Sequence, residues 1–439
     1  MIRSSSLSSS ARSVAADSVD LKESPRRLRA WVGIVILGAF GPYLSRGMGI
    51  RTEQLLIYAS ALLLFPALLL RARITRTTFL VFYAWVGIIM ASVAGGLLAV
   101  RPVPTNNPLS GLDNLVLPIA SVLVVHGWRA VSGRRRKQSL LYVAEKWIVI
   151  CLCLNALVAL YSVVADINSW GNFFWTAGVD PTASVAAKAA TMGRHTGLFN
   201  QPLESGIAYS VGLFVFMHMK RGNRLQGWQS AILLLLVLSG GLLSVSKVFL
   251  LLGLPLAIFG HLTRSSARLK PRGILLTASV LVGLMVLAAY VPWEGRDRLE
   301  QTIRYQTEEG ALSFYSSGRL GPDGSSRVVV ETVLKGSALF GFGLSGLDVA
   351  YDNAWIEMMV LGGIVAVGFY TLVLGILVFK LFRGRRLMSS NDWWLTASLV
   401  VLVILGGIGG PTLTTNRSGV LVWILLTFVL LLPEDVNSK

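Results

Sequence analysis

Charge is scarce in this chain. Asp, Glu, Lys and Arg supply 14% of its 439 residues, against about 25% in a soluble domain. A water-soluble globule is therefore excluded as its main body. Acidic residues are scarcest: 22, against 40 Lys and Arg, a net charge of +18. In a soluble protein that excess would suggest nucleic acid. Here 54% of residues are hydrophobic and the mean hydropathy is +0.64, so no nucleic-acid partner is expected. The excess reports basic cytoplasmic loops instead. Two cysteines, Cys151 and Cys153, lie in one apolar run. They are too few for a disulfide framework or a zinc site and read as small core or lipid-facing side chains. Four histidines, His126, His195, His218 and His261, are too scattered for a metal centre. P-loop, GxGxxG, HExxH and GxSxG signatures are missing in the required contexts, so no cofactor and no metal are expected.

What is there is apolar length. A span needs about 20 mostly apolar residues. Twelve stretches qualify, near 30–45, 54–70, 78–100, 113–128, 141–165, 203–219, 227–244, 247–262, 273–292, 354–381, 393–410 and 418–433. Basic clusters follow every second stretch: Arg71, Arg73 and Arg76; Arg134 to Lys137; Lys220, Arg221 and Arg224; Arg264, Arg268, Lys270 and Arg272; Arg383, Arg385 and Arg386. Short basic loops stay in the cytoplasm. The expected fold is an all-α polytopic membrane protein of about twelve helices in the cell membrane, with both termini cytoplasmic. Residues 1–27 read as a disordered tail, 28–433 as the transmembrane domain and 434–439 as a short tail. Glu145-Lys146 at one span edge reads as an interfacial ion pair.

Two outward loops are long, 166–202 and 293–353. The second lies between helices 9 and 10 and carries nine acidic and six basic residues, including Arg319. Loops of this size in a compact protein are usually functional. This one is expected to be partly helical. Ser325-Ser326 opens a segment with Val329, Val330, Val333 and Leu334 at helical spacing, which Gly341-Phe-Gly343 stops. Arg327 falls in its first turn, where a cation opposes the helix dipole unless an anion binds there. Arg194 precedes the sixth span, and Lys247 sits at the turn between spans seven and eight. Three outward cations in a positive-inside protein suit a polyanionic head group such as a lipid pyrophosphate. Asp352 precedes the tenth span as a helix N-cap or a general base. His195 adjoins Arg194. Glu204 and Glu357 fall just inside spans, where ionisable groups are functional candidates.

These segments look familiar. Gly193-Arg-His-Thr-Gly-Leu-Phe-Asn-Gln-Pro202 resembles the Arg-x-x-Gly-x-Phe motif of the O-antigen ligase and polymerase superfamily. Leu243-Ser-Val-Ser-Lys247 is similar to its Thr/Ser-x-Ser-Arg turn, with Lys for Arg. Ser326-Arg327 with Ser337-Ala-Leu-Phe-Gly-Phe-Gly343 resembles the Arg, helix and Gly-x-Gly of its large outer loop. Tyr351-Asp-Asn-Ala-Trp-Ile-Glu357 with Gly362-Gly363 resembles the stretch that closes that loop. Lipid A ligases carry His where Asp352 stands, which favours a Wzy-type polysaccharide polymerase.

The resemblance implies metal-independent, inverting transfer of a glycan from undecaprenyl pyrophosphate to a second lipid-linked repeat unit. Arg194 and Arg327 would hold the departing pyrophosphate, and Asp352 would take the acceptor proton. Lys247, Arg319, His195, Glu204 and Glu357 would bind substrate. Membrane lipid and a chain-length regulator are the implied partners. Alternatives are ligase-type transfer to another acceptor, a flippase or transporter for lipid-linked oligosaccharide, and a metal-dependent polyprenyl-phosphate glycosyltransferase. The last expects an acidic pair in the first outer loop, where the sequence offers Glu53.

Overall fold

The computed structural model describes residues 25–45, 49–72, 74–98, 108–133, 137–176, 184–225, 227–262, 325–347 and 353–432. Within them the chain forms α1 (Arg26–Gly38), strands β1 (Tyr43–Ser45) and β2 (Ile50–Arg51), α2 (Thr52–Arg71), α3 (Arg76–Leu98), α4 (Pro108–Ser132) and α5 (Lys137–Val164). Two short helices follow, α6 (Asn168–Trp175) and α7 (Val185–Ala190), then α8 (Pro202–Arg221) and α9 (Gly227–Leu243). A π-helical turn (Phe249–Gly253) leads into α10 (Leu254–Leu262). The remainder is α11 (Ser325–Ser337), α12 (Ala354–Gly384), α13 (Ser390–Gly409) and α14 (Asn416–Leu426), which ends in a second π turn (Thr427–Leu431).

Six helices are long and apolar enough to cross a membrane: α2, α3, α4 from Gly111, α5, α12 and α13. Shorter apolar helices accompany them, among them α9 and the segments Phe249–His261 and Asn416–Leu431. The body is thus a helical membrane protein. Helix edges follow the apolar stretches closely, because a lipid-facing helix ends where its side chains turn polar. A short antiparallel β1–β2 ribbon accompanies the helices, and the segment 166–202 contains α6 and α7. The stretch 273–292, Arg319, Asp352 and nearly all of both tails lie outside the described residues.

Burial sorts the helices by depth. From Arg417 to Leu432 every residue of α14 and its π turn is buried, the signature of a helix enclosed on all sides. Trp85 of α3 meets Trp423 of α14 edge to face at 5.2 Å and donates to the Leu115 carbonyl of α4. In contrast, Leu62, Leu63, Leu69 and Leu70 of α2 and Phe79, Tyr83 and Met90 of α3 are exposed. A water-facing surface would not carry that much contiguous apolar area; a lipid-facing one does.

Long helices that follow one another in sequence alternate in direction, giving the bundle two ends. At one end Arg417 begins α14; at the other His218 closes α8. α12 breaks near the first end. Gly362 and Gly363 leave helical geometry, with Gly363 at φ 63°. Segment 338–347, which follows α11, fills the break. Phe342 and Gly343 N–H donate to the Val360 and Leu361 carbonyls, and Ile364 and Val365 N–H donate to those of Ala338 and Leu339. Freed backbone groups at membrane depth must find such partners. The approach is backbone to backbone: a Cβ on Gly95 would strike the Phe340 carbonyl, one on Gly111 that of Leu344, and one on Gly363 the backbone of Leu339.

Candidate functional site

The Arg194 loop is built from turn chemistry. Gly193 and Gly197 adopt φ 68° and 64°, open to glycine at little cost. Asn155 of α5 clamps the loop, donating to the Thr196 carbonyl at 3.2 Å and accepting from Leu198 N–H at 2.6 Å. Trp175 of α6 donates to the Gly197 carbonyl at 2.8 Å. Thus the loop is held before any ligand arrives.

This loop docks on the turn that carries Lys247. His195 N–H donates to the Leu243 carbonyl at 2.9 Å, and Arg194 Nη2 donates to the Val245 carbonyl at 3.3 Å. Val245 has φ 43°, which for a β-branched residue is a strained backbone of the kind that clusters at functional sites. Gly206 of α8 makes room for the turn, since a Cβ there would collide with Ser246. Arg194, His195 and Lys247 are each half-buried. Ser162 Oγ lies 2.9 Å from His195 Nδ1. Two motif segments separated in sequence therefore form one corner.

Glu204 belongs to the same corner but is fully buried. Its oxygens accept from Asn200 N–H at 3.3 Å and Arg417 N–H at 2.8 Å. It thereby caps the first turn of α14 while sitting in the first turn of α8, a placement favourable to a carboxylate at both helix N-termini. Glu357, in the first turn of α12, accepts from the Thr414 hydroxyl.

Arg327 is placed differently. It lies in the first turn of α11, as the pattern predicts, with Val329 and Val333 buried against Phe342, Ile356 and Val360. Its side chain is 66% exposed, and Nε pairs with Glu331 at 2.9 Å. The bond and charge of Arg327, helped by Lys335, hold the Glu331 carboxyl below the usual carboxylate range. Arg194 and Arg327 thus occupy one end of the bundle on separate elements. Asn353 caps α12, accepting from Trp355 and Ile356 N–H at 2.8 and 3.2 Å; Asp352 lies outside the described residues.

Sequence reasoning missed the network behind this corner. Arg417 is 1% exposed. Its guanidinium donates to the Leu198 carbonyl at 2.5 Å and the Phe174 carbonyl at 2.8 Å, and its Nε lies 3.9 Å from Glu53. Glu53 pairs with Arg51 at 3.0 Å, and Arg51 with Asp113 at 2.9 Å. Asp113 also accepts from Tyr58 at 2.6 Å and from Gln54. Buried charges need such compensation. The signal was present: Arg51 and Arg417 are cations at span edges opposite the basic clusters, as Arg194 is.

The other end corrects the ion-pair expectation. Glu145 does not pair with Lys146. It is fully buried and meets His218 at 2.5 Å and Arg224 at 3.2 Å, while His218 Nε2 meets Asp392 at 3.0 Å. Consecutive helix residues point about 100° apart, so Glu145 faces the core and Lys146 the exterior.

Among the described residues, no group of three or more His, Cys, Asp or Glu is placed to hold a metal ion. No protein-family model and no curated protein matches this chain.

Proposed function

We propose that the chain is an integral-membrane glycosyltransferase of the O-antigen ligase and polymerase type. In this reading it lengthens a polysaccharide by moving a glycan from undecaprenyl pyrophosphate onto a lipid-linked repeat unit. One observation carries the proposal: the Arg194 loop and the Lys247 turn, two separate motif segments, meet in a pre-formed corner at one bundle end.

Twelve crossings with cytoplasmic termini are part of the same reading. Arg26 and Leu431 lie at the His218 end, beside Ser139 and Thr78 respectively. An even number of crossings returns both to one side. Leu262 lies at that end too, through Arg221 and the Gly260 carbonyl, while α11 packs at the Arg417 end. Basic residues such as Arg221 and Arg224 support a cytoplasmic placement of the His218 end.

The chemistry is a displacement at the anomeric carbon. The acceptor hydroxyl oxygen bonds to that carbon as the carbon–oxygen bond to the pyrophosphate breaks. The electron pair leaves on the lipid pyrophosphate, and the hydroxyl proton passes to Asp352. Attack opposite the leaving group inverts the centre. Arg194, Lys247 and Arg327 would face the growing charge. Preorganised donors of this kind are worth about 10²–10³ in rate each.

The test is a purified, nanodisc-embedded protein given lipid-linked repeat units in EDTA. Laddered polymer is expected, with Arg194→Ala and Arg327→Ala proteins intact but inactive. Translocation of the lipid-linked unit across proteoliposomes without new glycosidic bonds would favour a flippase and overturn the proposal. Transfer only to an unrelated acceptor would assign a ligase.

A further inference from the structure

α1 opens with three arginines in its first turn, Arg26, Arg27 and Arg29, behind Pro25, which offers no capping side chain. Cations there oppose the helix dipole, and the first N–H groups point outward. Arg26 and Arg29 line a cleft of about 420 Å³ with Ser139, Tyr142, Lys146 and Trp147 of α5. The α5 residues recur at helical spacing, so one face of α5 forms the opposite wall. Gly33 of α1 sets the floor, because a Cβ there would collide with the Trp147 indole.

Among the described residues the charge lining this cleft is uncompensated. Among the described residues no acidic side chain pairs with Arg26, Arg29 or Lys146, and the adjacent Glu145 is turned inward to His218 and Arg224. Arg224, whose charge Glu145 answers, stacks over the Tyr142 ring at 5.2 Å and fixes that wall of the cleft. Trp and Tyr beside cations at the end of membrane helices mark the headgroup level. Cations clustered between helices on the cytoplasmic side bind anionic lipid.

We infer that the α1–α5 cleft is a binding site for an anionic phospholipid. The headgroup phosphate accepts from Arg26, Arg29, Lys146 and the α1 N-terminus, and the acyl chains run along the apolar flank of α5. This site rests on the orientation proposed above but not on the glycosyltransferase chemistry, and it lies at the opposite end of the bundle from the Arg194 loop.

The experiment is native mass spectrometry of the full chain in detergent, titrated with phosphatidylglycerol and, separately, phosphatidylcholine. Wild type should bind phosphatidylglycerol preferentially. Each cation removed should weaken that binding about fivefold, so the triple variant Arg26→Gln, Arg29→Gln, Lys146→Gln should lose the preference. The triple Arg26→Lys, Arg29→Lys, Lys146→Arg should keep most of it, which guards against a folding defect. A control at the same end, Arg383→Gln, Arg385→Gln, Arg386→Gln, should match wild type. Equal loss in that control, unchanged binding in the first variant, or inorganic phosphate binding in place of the lipid would overturn the inference.

Discussion

Arg417 and Arg327 lie at the same end of the bundle and carry the same charge, yet their surroundings are opposite. Arg417 is enclosed, with both terminal nitrogens on carbonyls and Glu53 beside Nε. Arg327 stands on an exposed helix face, with its neighbour Glu331 one turn away. The first guanidinium builds the wall behind the Arg194 loop; the second lies mostly outside the packed body. Position in the sequence does not separate these two uses. Burial does.

The sharpest way to break the contrast is Arg417→Ala. Removing one member of a buried charge network costs about 3–5 kcal/mol, so the variant should melt early in detergent and lose its monodisperse peak. Wild-type melting would demote the network from scaffold to bystander. Arg194→Ala comes next: turnover should fall about 10²–10³-fold while melting stays near wild type, because the side chain is half-buried and not enclosed as Arg417 is. Equal losses of stability and turnover would place Arg194 with Arg417. Gly197→Ala should be milder, about 1–3 kcal/mol, since φ 64° strains an alanine and its Cβ meets Asn155; melting and turnover should fall together. Glu331→Gln is smallest. The Glu331 carboxyl titrates below its ordinary value, so any help it gives α11 is present above that value and fades as pH drops through the lowered one. Melting curves of wild type and variant should nearly coincide at neutral pH and coincide fully in acid. A large gap at neutral pH would mean that α11 is clamped rather than open.

Much of the helical frame was legible because apolar length reports lipid directly. α11 was legible too: Val329 and Val333 repeat at the helical period and are the residues that bury. The site was only half legible. Arg194 and Lys247 stood out as cations against the prevailing charge asymmetry, and the segments that carry them do meet. Arg51 and Arg417 carry the same mark, but Arg51 shares its neighbour Glu53 with the distant Arg417 and takes Asp113 from another helix. Nothing in a linear pattern announces such pairing. Glu145 misled for a related reason: its neighbour in sequence was the nearest opposite charge, and the helix turned the two apart.

The plug of residues 338–347 has a consequence for biogenesis. Its seat is shared among glycines of α3, α4 and α12, and the last of these emerges from the ribosome after the plug itself. The plug therefore has no complete berth when it is synthesised. Its insertion must wait until α12 has joined helices laid down much earlier, which makes this joint a late checkpoint of maturation. A nascent chain stalled before α12 should leave α11 open to added protease, and release of the complete chain should close that window.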